Sequence, residues 1–146
     1  MTKPVLLFDA NAIYRLIREF PENAPDILAE GSTIDLAYYE LGNALWKECL
    51  LLKRISSEEA KKSVDFLYAI LERMQVVTAA SSEGTTVLDT ALKSRVTFYD
   101  SAYLTEAKKS GKSLVTDDSK LAKAAKEFGV TTLSSMASAA KHTGKS

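Results

Sequence analysis

Hydrophobic and polar positions along the chain alternate between two kinds of segment. A short continuous apolar run at 5–8 reads as a strand buried on both faces, further strands are predicted at 76–77, 113–116 and 130–133, and a weaker one at 34–36 contains Asp35. Between them lie longer segments with helical spacing. The first covers 11–20 and is stopped by Pro21, and a short one covers 24–30 before Gly31. From 39 to 53, Leu41, Leu45, Cys49 and Leu52 recur at steps of four, four and three. From 57 to 74, Ala60, Val64, Leu67, Leu71 and Met74 do the same behind a Ser56 or Ser57 cap. Further helices are predicted at 82–94, with Val87, Leu88, Ala91 and Leu92 as the apolar stripe, at 101–109 before Gly111, and from an Asp117-Asp118-Ser119 cap to Phe128. A last one starts at Ser134 or Ser135. Strands alternating with helices imply one domain over 1–140 with a central, mainly parallel sheet, followed by a frayed tail at 141–146.

Length and composition agree with that picture. The chain has 146 residues, 46% hydrophobic and 26% charged, enough for a core without disulfides or structural zinc. The single cysteine, Cys49, falls on an apolar helix face and reads as a core thiol. No signal segment or membrane span is visible, so a cytoplasmic location without membrane contact is expected. Net charge is zero, so binding of a polyanion would depend on local patches. Lys47, Lys53, Arg54, Lys93, Arg95 and Lys120 are the candidates.

The chemistry-bearing residues are acids, and their placement is the informative fact. Asp9 directly follows the first strand, and Asp118 follows the strand at 113–116. Asp100 sits at a helix start, and Glu40 lies in the first turn of the helix after the second strand. In a parallel sheet the carboxyl ends of the strands share one edge, where ligands bind. Each acid alone has a plain structural reading, as a helix cap or a solvated side chain. Together, clustered carboxylates repel and call for a cation, and oxygen-only ligation points to Mg²⁺ or Mn²⁺. Such a site suits phosphodiester hydrolysis.

The motifs around these acids carry a family resemblance. Leu6-Leu7-Phe8-Asp9-Ala10-Asn11-Ala12-Ile13 resembles the opening motif of PIN domains, especially VapC-type toxins. The run Leu36-Ala37-Tyr38-Tyr39-Glu40-Leu41-Gly42-Asn43 is similar to their second motif. Thr97-Phe98-Tyr99-Asp100-Ser101-Ala102-Tyr103-Leu104 and Leu114-Val115-Thr116-Asp117-Asp118-Ser119-Lys120-Leu121 are similar to the third and fourth. The resemblance implies a three-layer α/β/α sandwich and a Mg²⁺- or Mn²⁺-dependent endoribonuclease. It also implies Asp9, Glu40, Asp100 and Asp118 as catalytic and metal-binding acids, with RNA as substrate, a homodimer, and a small antitoxin partner. Thr116 matches the hydroxyl residue ahead of the last acid and is either a positioning group or a buried strand threonine. Asn11 either orients water or substrate or caps the first helix, and Asp117 is either an outer ligand or an alternative to Asp118.

Three other readings compete. A haloacid-dehalogenase-type phosphatase also places Asp after its first strand, but it needs a second Asp two residues on, and Asn11 cannot donate a proton there. A non-catalytic PIN-like module for RNA binding or assembly would not need all four acids. A receiver-type signalling domain lacks its acid pair here. On the partner side, Ile13, Leu16, Ile17, Phe20, Ile27 and Leu28 either border a groove for an antitoxin helix or belong to the core. Tyr38, Tyr39, Trp46, Leu50, Leu51, Tyr68 and Ile70 exceed what one core-facing stripe needs and point to a self-association surface.

Overall fold

The computed structural model describes residues 5–143. Five parallel strands form one sheet in the order β3-β2-β1-β4-β5. They are β1 (Leu6–Phe8), β2 (Ser32–Ile34), β3 (Gln75–Val77), β4 (Ser113–Val115) and β5 (Thr132–Leu133). Around them lie α1 (Ala10–Glu19), α2 (Ala24–Ala29), α3 (Leu36–Trp46), α4 (Ser57–Arg73), α5 (Gly84–Ser94), α6 (Phe98–Ser110), α7 (Ser119–Glu127) and α8 (Ser135–Thr143).

The pleat of β1 shows why the apolar run has no polar side. Phe8 packs with residues of α1, α2, α3 and α4 on one face. Leu7, one residue earlier, packs with Leu104, Leu114 and Leu121, from α6, β4 and α7, on the other. Both side chains are fully buried. The sheet is therefore the middle layer of three, as expected, and the helices supply the outer two.

Element boundaries moved where polar groups carry the structure. The second strand is Ser32–Ile34, not 34–36. Ser32 Oγ donates to the Leu6 carbonyl at 3.0 Å and Thr33 Oγ1 to that of Phe8 at 2.7 Å, so two hydroxyl residues sit buried against β1. Asp35 then precedes α3, which starts three residues before the expected 39 and puts Glu40 in its second turn. The α3 spacing also fails beyond Leu45. Residues Lys47–Leu51 form a π-helical turn, which shifts the register: Glu48 is buried, Cys49 is only half-buried, and Leu52 is exposed. In α4, by contrast, Ser56 and Glu59 form the reciprocal capping box, at 3.1 and 2.9 Å. A 3-10 turn over Ser81–Glu83 precedes α5, where Ala91 is buried but Leu88 and Leu92 face solvent. The third-motif helix starts at Phe98 rather than 101, capped by Thr97.

Two surface expectations can be resolved. Ile13, Leu16, Ile27 and Leu28 are buried, and the partly buried Ile17 and Phe20 pack against their cluster, which is the core alternative for these residues. Of the residues expected at a self-association surface, Ile70 is core. Tyr38 and Tyr68 pack edge to face at 4.6 Å, and the Tyr68 hydroxyl donates to the Tyr38 carbonyl at 3.0 Å. Tyr39, Trp46, Leu50 and Leu51 remain exposed. Of the tail expected to be frayed from 141, the first three residues belong to α8, which runs to Thr143, and the last three lie outside the described residues.

Gly31 ends the α2 segment for reasons of space, and its backbone is not left-handed as at Gly111 and Gly129. A Cβ on Gly31 would sit 2.9 Å from Phe8 Cδ1 and closer still to Cε1. Since Phe8 is fully buried, its ring has nowhere to go. Gly31→Ala is expected to cost about 1–3 kcal/mol, the range for overpacking a core. A urea midpoint equal to that of the parent protein would refute this.

Candidate active site

All five strands are parallel, so the residues that leave β1, β2 and β4 emerge at one edge of the sheet. The β1–β4 register pairs Phe8 with Val115, which sets Asp9 beside Thr116 on the next rung. Asp9 is 6% exposed and is also the N-cap of α1, its Oδ1 accepting from the Ala12 amide at 2.8 Å. Burial pushes its carboxyl up from 3.8 to about 6. Hydrogen bonds from Thr116 and Ala12 oppose that rise, and the charges of Asp117 and Glu40 add to it. Thr116 stands between two of the acids: its hydroxyl accepts from the Asp118 amide at 3.1 Å and counters the rise of the Asp9 carboxyl.

Glu40 projects from α3 and its Oε1 accepts from the Tyr103 hydroxyl at 2.7 Å. Its carboxyl is also raised, first by burial and then by the charge of Asp100, with the Tyr103 bond opposing. Asp100 lies in the first turn of α6, where its amide donates to Thr97 Oγ1 at 3.0 Å. Burial raises its carboxyl too, and Asp118 adds to the shift while Lys120 opposes it. Asp118 caps α7, its Oδ1 accepting from the amides of Lys120 and Leu121 at 2.9 and 3.2 Å. The four predicted acids therefore form a chain of repelling neighbours running Asp9, Glu40, Asp100, Asp118.

The other predicted residues separate. Asp117 Oδ1 accepts from the Ser135 amide at 2.9 Å and its Oδ2 faces Arg15 at 3.8 Å, so it ties α8 and α1 to the site edge. Its charge still reaches Asp9. Asn11 lies exposed in the first turn of α1, and Asp9, not Asn11, caps that helix. Among the basic candidates, Lys120 couples to the acids, whereas Arg54 pairs with Glu48 and Lys93 with Asp89. Sequence reading missed Tyr103. The available signal was its spacing, three residues after Asp100 and so on the same helix face.

The donor set is all carboxylate and hydroxyl oxygen, which suits a hard divalent cation. No three of the described acids, His and Cys residues stand close enough to form one closed chelate. Mg²⁺ does not require one, since it keeps several waters and is often held by one or two carboxylates. Asp9 with Glu40, and Asp100 with Asp118, are pairs of carboxylates whose charges reach each other.

Comparison with known proteins gives a consistent answer. A sequence model of the PIN domain matches residues 6–127. Ribonuclease VapC3 of Pyrobaculum aerophilum is 36% identical over 124 residues, which cover 80% of this chain and 92% of that protein. Exonuclease VapC9 of the same organism is 35% identical over 117 residues, covering 79% and 81%. The crystal structure of PAE2754 from Pyrobaculum aerophilum superposes with a TM-score of 0.73 at 30% identity, covering 88% of this chain and 90% of that one. FitAB bound to an IR36 DNA fragment superposes at 0.66 and 15% identity, covering 89% and 94%, a likeness of fold. Sequence, fold and the order of the four acidic motifs agree, and the chain belongs to the PIN-domain family, with VapC-type nucleases among its relatives.

Proposed function

We propose that this chain is a Mg²⁺- or Mn²⁺-dependent endoribonuclease of the VapC toxin kind. The observation that carries the reading is the chain of mutually repelling carboxylates along one sheet edge, with those of Asp9, Glu40 and Asp118 each held by a hydrogen bond from the scaffold. Keeping like charges together works against stability and calls for a ligand of opposite charge. When bound, a divalent cation supplies that charge, activates water and stabilises the developing phosphorane-like anion. Asp9 and Glu40 would hold it from the β1 and α3 side, and Asp100 and Asp118 from the α6 and α7 side. Thr116 keeps Asp9 and the start of α7 in register, and Lys120 offers a contact to the RNA backbone beside Asp118. Retention of all four acids favours catalysis over the non-catalytic PIN-like module.

Two relatives carry different names, a ribonuclease and an exonuclease, so the assay must read cut positions as well as loss of substrate. The purified chain is expected to cut single-stranded or looped RNA internally with Mg²⁺ or Mn²⁺ and to fall silent in EDTA. Asp100→Asn should lower the rate at least about tenfold, while the metal-free melting temperature stays level or rises because one repelling charge is gone. Cleavage that persists in EDTA, or an undiminished variant, contradicts the mechanism. Products released only from the ends would reassign it as an exonuclease.

The reading extends to partners. One exposed apolar face holds Trp46, Leu50, Leu51 and Leu52, where the π turn rotates them away from the core. A second combines Leu88 and Leu92 of α5 with Phe98 and Tyr99, beside a largely apolar cavity of about 500 Å³ that also touches Tyr39 and Val87. Two such faces on a small chain fit a homodimer and a small antitoxin protein, which would also hold the nuclease in check in the cytoplasm. Light scattering at tens of micromolar, roughly where weak dimers still form, should give a dimer mass; a monomer mass overturns the homodimer.

A further inference from the structure

Tyr103 is 1% exposed, yet it is a phenol in a layer where phenylalanine would fill the same space. Its hydroxyl donates to Glu40 Oε1 at 2.7 Å across 63 residues of sequence, from α6 to α3. Its environment also includes the charge of Asp9 and the backbone N–H of Ala10, at the start of α1. The hydroxyl thus stands where three elements that carry site acids meet. Burial and the facing Glu40 carboxylate push the phenol's pKa far up, so the group stays a donor.

Glu40 has no other hydrogen-bond donor among the described residues that would fix its head group. Asp9, by contrast, is held by Ala12 and Thr116, and Asp118 by two amides. A glutamate side chain with three rotatable bonds, half-buried on the second turn of α3, needs such a restraint if one rotamer is to serve a site. We propose that Tyr103 is a positioning residue, whose hydroxyl locks the Glu40 carboxylate toward the acid cluster and leaves Oε2 free to face a divalent cation. The inference rests on the nuclease reading and adds to it a hydroxyl that acts only through Glu40.

The test is a double-mutant cycle on the full chain with Tyr103→Phe, Glu40→Gln and the pair. Two quantities are read: Mn²⁺ affinity by electron paramagnetic resonance on protein without RNA, and kcat and KM for a single-stranded RNA. Tyr103→Phe is expected to fold as the parent does, to bind Mn²⁺ about tenfold more weakly, and to lose kcat at limiting Mn²⁺ with KM for RNA unchanged. Excess Mn²⁺ should restore much of that loss. In the Glu40→Gln background, Tyr103→Phe should add little further loss. A variant that binds Mn²⁺ and cuts RNA as the parent does overturns the proposal and leaves the nuclease reading standing. So does an equal loss in both backgrounds, which would mark Tyr103 as core packing. If Tyr103→Phe fails to fold, Tyr103→His, which keeps a ring with a donor, must bind Mn²⁺ better than Tyr103→Leu, and parity between those two overturns it equally. A parent chain that neither binds Mn²⁺ nor cuts RNA removes the nuclease reading and this inference together.

Discussion

A carboxylate buried beside other carboxylates is costly, and Asp9 is held in that position by its place in the chain. It follows a strand buried on both faces, so its backbone is fixed by the hydrogen bond its amide donates to the Val115 carbonyl and its side chain by the first turn of α1. The remaining acids inherit their positions from this one. Glu40 comes near Asp9 because β2 pairs with β1, reinforced by buried hydroxyls, and Asp118 comes near Asp100 because α6 packs against β4. Thr116 and Tyr103 then convert nearness into fixed geometry. The fold positions charge that it cannot neutralise by itself.

This arrangement divides labour between helix caps and site chemistry. Asp9 and Asp118 each cap a helix, which uses part of their hydrogen-bonding capacity and favours the ionised form. The caps orient one oxygen of each carboxylate. Asp117, next to Asp118, is used differently: it ties the start of α8 to the segment after β4.

How much of this was legible depended on whether hydrophobic pattern carried the element. β1 and β4 were legible because nothing polar interrupts them, and α4 because its cap and stripe agree. β2 was displaced because Ser32 and Thr33 bury hydroxyls against carbonyl groups, which a polarity pattern reads as loop. The end of α3 was misread because a π turn changes the period, a feature no regular spacing announces. In the candidate site, the four acids were proposed from their positions at element ends and from motif order. Tyr103 was not, since a tyrosine in a helical apolar stripe looks the same whether its hydroxyl meets water or a buried carboxylate. The capping roles of Asp9 and Asp117 required three-dimensional neighbours that the sequence does not display.

The central claim is that folding forces Asp9 into a setting that opposes its charge, and pH tests it directly. Its folded pKa of about 6 lies above the ordinary 3.8, so the folded state holds the proton more tightly than the unfolded one. Stability should therefore be highest below the unfolded value and fall as pH rises through that window, on the order of 2–3 kcal/mol for this group. The measurement is the free energy of urea unfolding in EDTA from about pH 4 to pH 7, for the parent and for Asp9→Asn, which keeps the helix cap. The account predicts that the parent loses stability relative to the variant as pH rises. A difference between the two that does not change with pH would contradict it.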